Sequence, residues 1–269
     1  MRAKPESLSS VLLTSFRNRK KRQDLSGTQR AEGFPVIASY NVHKCVGRDR
    51  KFDPDRICHV IQELSADIIA LQEADSRFGE RTGLLDLLRL ERECGLTPVP
   101  IASASKAHGW HGNVVLFREG AVRDVHPIKL PGLEPRGALV VELELKQGGT
   151  LRIIAAHFGL LRHSRAQQAK ALLELLGTRE EQPTVLLGDL NEWRLGNGSS
   201  LNTLRDAFGT LPPAVPSFPS GMPVLALDRI ISNRMGLIEN VTAHDSALSR
   251  IASDHLPLKA AIRTDLLDT

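Results

Sequence analysis

Aromatic side chains are scarce in this sequence: two Trp, one Tyr and eight Phe make up 4% of its 269 residues. A surface that tracks single-stranded nucleic acid by stacking successive bases needs more of them, so extensive base stacking is poorly supported. Cysteine is scarcer still. Cys45, Cys58 and Cys94 are odd in number and form no C-x-x-C pair. That argues against a disulfide framework and a structural zinc site, and makes a reducing, cytoplasmic setting the expectation. Long apolar runs are missing too: nothing approaches the ~20 residues that cross a bilayer. The stretch Leu8-Ser9-Ser10-Val11-Leu12-Leu13 is short and its positive charges mostly follow it, the wrong order for a secretory signal.

Hydrophobic residues at 41% and charged residues at 25% are ordinary globular values, enough for a sizeable core in one large domain. The formal charge of +4 is unevenly placed: residues 1–30 carry eight Lys or Arg against two acids, and the rest of the chain sums to −2. The basic balance thus belongs to an arm, residues 1–33, whose composition predicts a polar, disordered segment. It is either a solvated tail or an electrostatic handle for an anionic surface, on nucleic acid or on a membrane. The body, residues 34–265, is expected to fold as a single monomeric domain.

Regular patterns begin near Phe34. Val36-Ile37-Ala38-Ser39-Tyr40 reads as a short apolar strand. Asp53-Pro54 offers an N-cap followed by a proline at the first helical position, with Ile57, Val60, Ile61 and Leu64 at helical spacing behind it. Residues 67–71 form a second apolar strand, and residues 83–94 a helix that Gly95 closes. Strands are predicted over 112–117, 121–128, 138–145 and 151–157, the last two joined as a hairpin through Gln147-Gly148-Gly149. A strong helix over 164–176, closed by Gly177, precedes a strand at 183–187. A short helix near 201–208 and a proline-rich loop lead to strands at 227–232, 238–242 and 256–262. No tandem repeat occurs. The pattern is that of one α/β domain with sheets covered by helices.

Polar residues end or interrupt several of these strands: Asn41, Glu73, His157, Asp189 with Asn191, Asp228, and Asp254 with His255. One carboxylate at a strand end is usually a loop or cap residue. A set of them in one domain is different, because buried charges are costly unless paired or bound to metal. Clustered carboxylates need a cation to offset their repulsion. Oxygen donors suit Mg²⁺ or Mn²⁺ better than zinc.

The segments Ser39-Tyr40-Asn41-Val42-His43, Leu71-Gln72-Glu73, Gly188-Asp189-Leu190-Asn191, Leu227-Asp228-Arg229-Ile230 and Ser253-Asp254-His255-Leu256-Pro257 occur in that order. As a set they resemble the endonuclease/exonuclease/phosphatase superfamily over roughly residues 34–263. The resemblance implies a four-layer α/β/β/α sandwich of the DNase I-like kind: two packed, mainly antiparallel sheets flanked by helices, with the site where the sheets' edges meet. It implies a Mg²⁺- or Mn²⁺-dependent phosphoester hydrolase of phosphodiesterase or endonuclease type. Glu73 would be the principal metal ligand, with Asn41 and Asp254 nearby. Asp189 would orient or deprotonate the attacking water, and Asn191 would donate to a phosphate oxygen. His255, oriented by Asp228, would bind the phosphoryl group, and His157 would contact the same phosphate. Asn113 and Arg136 are further substrate-binding candidates. His43 stands where some nuclease branches carry an acidic residue, which disfavours the abasic-site endonuclease branch.

Two other functions fit the same residues. A lipid head group or small phosphoester could replace nucleic acid, since the body is slightly acidic and lacks basic insertions. A regulatory binding protein on the same fold would be expected to lack Glu73, Asp189, Asp228 or His255, and all four are present. His59, His108, His126, His163 and His244 read as structural or solvated. His111, two residues from Asn113, and Trp193, after Asn191, are the additional residues to watch.

Overall fold

A computed structural model describes residues 34–76, 80–101, 106–194, 196–209 and 211–267. The basic arm, residues 1–33, lies outside the described residues.

The first sheet has six strands: β1 (Val36–Asn41), β2 (Ile68–Gln72), β3 (Thr97–Pro98), β4 (Val114–Phe117), β10 (Ile238–Ala243) and β11 (Leu258–Ile262). The second has five: β5 (Gly120–Lys129), β6 (Gly137–Leu145), β7 (Thr150–His157), β8 (Thr184–Asp189) and β9 (Asp228–Ser232). Their orders are β10-β11-β1-β2-β4-β3 and β5-β6-β7-β8-β9. Pairing is antiparallel except for β1 with β2 and β7 with β8. These interior strands are buried on both faces, which is why their sequences run apolar rather than alternating.

Alternation sorts their side chains into layers. Ile153 and Ala155 of β7 point into the core between the sheets, with Ile37, Val185 and Leu187. Ile154 and Ala156 point outward, under the helical layer that supplies Ala169 and Leu172. On the far face, Tyr40, Ile69 and Leu71 pack against Ile57, Val60 and Ile61. The four-layer α/β/β/α sandwich follows.

The helices are α1 (Pro54–Leu64), α2 (Leu87–Cys94), α3 (Arg162–Gly177), α4 (Arg205–Phe208) and α5 (Ser249–Ala252). Asp53 caps α1 through Arg56 N–H at 2.9 Å, as its sequence announces. Several spans differ from the sequence reading. Helix α2 starts at Leu87, not residue 83. Gly83 N–H bonds Lys106 O and Leu84 N–H bonds Ala74 O, so the backbone is committed to loop pairing until Asp86 caps the helix. Helix α3 begins two residues early and contains Gly177, with Thr178 as its C-cap. The helix near 201–208 splits into a 3₁₀ turn, Ser200–Leu204, followed by α4. Leu256 is also drawn off β11, because its N–H bonds Ser217 O.

Candidate active site

The candidate residues sit at the ends of interior strands, with edge strand β9 beside them, rather than along the sheets' lateral edges. Parallel β1 and β2 place Asn41 opposite Gln72, so Asn41 and Glu73 leave the first sheet together. Parallel β7 and β8 place His157 opposite Asp189, and Asp228 pairs with Asp189 from the other side. Asp228 is the first residue of its strand, not an interior one. Gly188 permits the close strand approach behind this row: its φ is +143°, and a Cβ there would come within 1.9 Å of Ala156 O.

Asp189 is the hub. Its Oδ2 accepts from Asn41 Nδ2 across the two sheets at 2.9 Å, and lies 3.4 Å from His157 Nε2 and 3.8 Å from His255 Nε2. Its Oδ1 accepts Asn191 N–H at 3.0 Å. Burial pushes the Asp189 pKa up to about 6, against the pull of His255, and the neighbouring Asp228 adds to the rise. His255 shares a 2.8 Å bond between Nδ1 and Asp228 Oδ2, and the same oxygen accepts from Ser217 Oγ at 2.5 Å. Burial opposes a charged imidazole here, but the Asp228 and Asp189 carboxylates outweigh it and raise the pKa to about 10. His255 is therefore a cation at neutral pH. The Ser-Asp-His segment is pinned to β1 because Ser253 Oγ donates to Asn41 O at 2.7 Å.

Glu73 follows β2 with φ +55°. Its Oε1 lies 4.0 Å from His157 Nε2 and its Oε2 2.7 Å from Lys44 Nζ. Burial works against the carboxylate, but the Lys44 ammonium holds its pKa below the ordinary value. Asp254 is half-buried, with Oδ1 3.7 Å from His43 Nδ1. Arg136, a cleft-wall residue rather than a surface ion pair, is buried between Glu134 at 2.7 Å and the His157 ring nitrogens at 2.9 and 2.7 Å.

Asn113 and Asn191 join the site differently. Asn113 Nδ2 donates to Trp110 O and Gly137 O, bracing β4 against β6 beside Arg136, and its Oδ1 is buried without a hydrogen-bond partner among the described residues. Asn191 Nδ2 donates to Phe158 O at 3.0 Å. Trp193 packs against the Arg194 guanidinium at 5.0 Å. His59, His108 and His244 make structural contacts with Arg89, Leu85 O and Glu63.

An open cleft of about 330 Å³ is lined by Lys44, Glu73, Asp75, Arg81, His111, Pro135, Arg136 and His157. Sequence reasoning missed Lys44, Asp75 and Arg81. Lys44 stands three residues after Asn41, with no local signal that pairs it with Glu73. The Asp75–Arg81 pair, 2.7 Å apart with Arg81 Nη1 3.2 Å from His111 Nδ1, has no local signal. Glu192 was also missed. It is fully buried and accepts from Ser200 Oγ at 2.6 Å and Arg165 Nη2 at 3.2 Å, fixing the loop after Asn191.

Glu73, Asn41 and Asp254 offer only oxygen donors, which fits a hard divalent cation. Glu73 Oε2 supports the fit: it is closed to solvent and already has an ammonium against it. Asp189, Asp228 and His255 also converge within 4.8 Å. There the Asp228–His255 hydrogen bond already uses one atom of each, so this trio reads as a hydrogen-bonded relay rather than a metal cage.

The model of the endonuclease/exonuclease/phosphatase family matches residues 38–255. An endonuclease/exonuclease/phosphatase from Beutenbergia cavernae is 24% identical with a TM-score of 0.63, over 85% of this chain and 71% of that one. The mannosyl-6-phosphatase of Bacteroides thetaiotaomicron is 16% identical with a TM-score of 0.62, over 84% and 98%. TDP2 of D. rerio, complexed with single strand DNA product, is 15% identical with a TM-score of 0.60, over 87% and 100%. These likenesses establish a shared fold. No curated protein matches the sequence.

Proposed function

The chain belongs to the endonuclease/exonuclease/phosphatase family, and from that premise we propose that it is a Mg²⁺- or Mn²⁺-dependent hydrolase of phosphoester bonds, of phosphodiesterase or endonuclease type. One observation carries the reading: Asp189 Oδ2 lies within 4 Å of Asn41, His157 and His255 side chains that come from both sheets. A buried carboxylate gathered with two imidazoles, one of which lines the open cleft, is the kind of arrangement that sites of chemistry use.

Glu73, with Asn41 and Asp254, would hold the metal ion. When bound, that ion would neutralise the phosphate and polarise its P–O bonds. Asp189, with a pKa near 6, is ionised at neutral pH and basic enough to orient and deprotonate water. The bonds from Asn41 Nδ2 and Asn191 N–H fix the direction of its lone pairs. His255 brings a permanent proton on Nε2 to the non-bridging oxygens, and Asp228 keeps it there from Nδ1. Arg136 and His157 complete the wall facing those oxygens. Asn191 Nδ2 keeps one hydrogen on Phe158 O and offers its second to a phosphate oxygen, whereas Asn113 acts on substrate through the wall that it braces.

A lipid head group or other small phosphoester is favoured by one feature. Leu133 and Leu160 are 85% and 65% exposed on two touching loops that flank Arg136 and His157, joined where Glu134 Oε1 accepts Leu160 N–H. Exposed apolar side chains on the loops next to Arg136 and His157 suit a substrate with an apolar body. The test is a panel of plasmid DNA, single-stranded RNA, sphingomyelin, phosphoinositides and bis-p-nitrophenyl phosphate, assayed with Mg²⁺ or Mn²⁺. EDTA, Asp189→Ala and His255→Ala should each abolish turnover of whichever substrate is cleaved. Full turnover by the Asp189 variant would refute the assignment of the water-activating group.

A further inference from the structure

We propose that Lys44 is a built-in counter-ion for Glu73: its ammonium occupies the metal-facing carboxylate oxygen in the metal-free protein and moves onto the substrate's phosphate when a divalent cation takes its place. The inference rests on the reading of Glu73 as the principal metal ligand.

Three observations carry it. First, Lys44 Nζ lies 2.7 Å from Glu73 Oε2 as an ion pair, at an oxygen closed to solvent and with no aligned hydrogen bond among the described residues. A buried carboxylate without a cation is costly, and a metal site must solve that problem whenever it is empty. Second, the backbone is built to deliver this lysine. His43, Lys44 and Cys45 have φ of 45°, 54° and 58°, and Glu73 itself has φ of 55°. Non-glycine residues rarely adopt such values, and a run of them persists only where surrounding structure enforces it. The enforcing bonds are visible: His43 N–H donates to Asn41 Oδ1 at 3.0 Å, Cys45 N–H to Val42 O at 2.8 Å and Val46 N–H to His43 O at 3.0 Å, while Lys44 N–H donates across to Glu73 O at 3.1 Å. Main chain and side chain of Lys44 therefore both address Glu73. An ordinary surface ion pair needs no strained backbone. Third, Lys44 and Glu73 line the same cleft as Arg136 and His157. The lysine side chain is about one-third exposed, and its flexible stem carries a compact charge with three donors. Displaced from Glu73, the ammonium stays among the groups that face the phosphate.

One lone-pair position cannot hold both an ammonium and a divalent ion, so two effects of opposite sign follow from removing Lys44. Metal should bind more tightly, because it no longer competes with a tethered cation. Phosphate should bind more weakly to the metal-loaded protein, because one donor is gone. A residue that merely stabilises the loop produces neither opposition.

The experiment measures Mn²⁺ binding to the full chain without substrate, by electron paramagnetic resonance of free Mn²⁺ and by calorimetry. Inorganic phosphate is then titrated into Mn²⁺-saturated protein. Lys44→Met should bind Mn²⁺ at least ten-fold more tightly than the natural chain, and phosphate at least ten-fold more weakly. Lys44→Arg should not tighten Mn²⁺ binding. Unchanged or weaker Mn²⁺ affinity in Lys44→Met, or unchanged phosphate affinity, overturns the proposal while leaving Glu73 as a metal ligand. If the natural chain fails to bind Mn²⁺, or Glu73→Gln binds it equally well, the metal reading of Glu73 falls and this inference with it. Should Lys44→Met melt early, Lys44→Gln, which keeps a polar stem without the charge, gives the same comparison.

Discussion

Replacing Asp228 by Asn should take His255 from a permanent cation to a group that titrates near neutrality. Two unit charges ~4 Å apart attract by about 4 kcal/mol at an effective dielectric of ~20, which corresponds to roughly 3 pH units. The Asp228 carboxylate lies 2.8 Å from His255 Nδ1 and is the largest influence raising a pKa of about 10 that burial alone would lower. Asp189 and Asp254 remain in the variant, so the expected fall is about 2–3 units, to roughly pH 7–8. Asn is close to isosteric and its oxygen can still accept from Ser217 Oγ, so the fold should survive. The assay is a pH titration of the imidazole nitrogens by long-range ¹H–¹⁵N correlation, with circular dichroism to verify folding. Stability must follow with a definite sign. A folded pKa raised above the ordinary 6.5 contributes in full below about pH 6.5 and is lost as pH rises through about 10. The natural chain should thus lose stability on the alkaline side between those limits, whereas the variant should start lower and show a weaker slope above pH 8. A folded variant whose His255 titrates at the natural midpoint would refute the Asp228 clamp.

The thiols should be silent in the native protein. Cys45, Cys58 and Cys94 are free and buried, and burial pushes the first two pKa values up to about 12 and about 11; a chromogenic disulfide at pH 8 should label none before unfolding and all three after it. Arg165→Met removes the guanidinium from the buried Glu192 carboxylate, which keeps its Ser200 and Arg194 N–H donors, a loss of about 1.5–3 kcal/mol, read as a lower urea midpoint and weakened turnover together. Gly188→Ala drives a Cβ into Ala156 O between β7 and β8, so it should express as insoluble or markedly destabilised protein, and a natural melting temperature would contradict the register. Asp53→Ala should cost about 1 kcal/mol through loss of the α1 cap while leaving turnover intact.

Much of this architecture was legible because the same residues serve folding and chemistry. Interior strands buried on both faces appear as short apolar runs, and their ends are marked by the polar residues that the runs deliver to one rim. That is why Asn41, Glu73, His157, Asp189 and Asp228 could be picked out before any contact between them was known. Asp53-Pro54 and Gly95 were legible for a local reason: each satisfies backbone groups of its own helix. Illegible features depend on partners distant in sequence. Nothing near residue 83 discloses that Lys106 and Ala74 claim the N–H groups of Gly83 and Leu84, so helix α2 looked four residues longer than it is. Arg81 becomes a cleft residue only because Asp75 and His111 hold it.

The turn at His43-Lys44-Cys45 is the sharpest case. Lys and Cys do not favour positive φ, and no glycine stands within the turn; the local signals are His43 and the Asn41 Oδ1 that accepts its N–H. Glu73 O, 29 residues later, accepts the Lys44 N–H. The sequence therefore reveals a carboxylate at the end of β2 but conceals the cation set against it. The missed residue and the strained backbone are linked: Asn41 Oδ1 and Val42 O hold the turn locally, but the bond that aims Lys44 at Glu73 comes from a residue distant in sequence. Relieving the strain at this turn should loosen Lys44 from Glu73 even with the lysine retained. Lys44 is thus a residue whose meaning lies entirely in the tertiary structure.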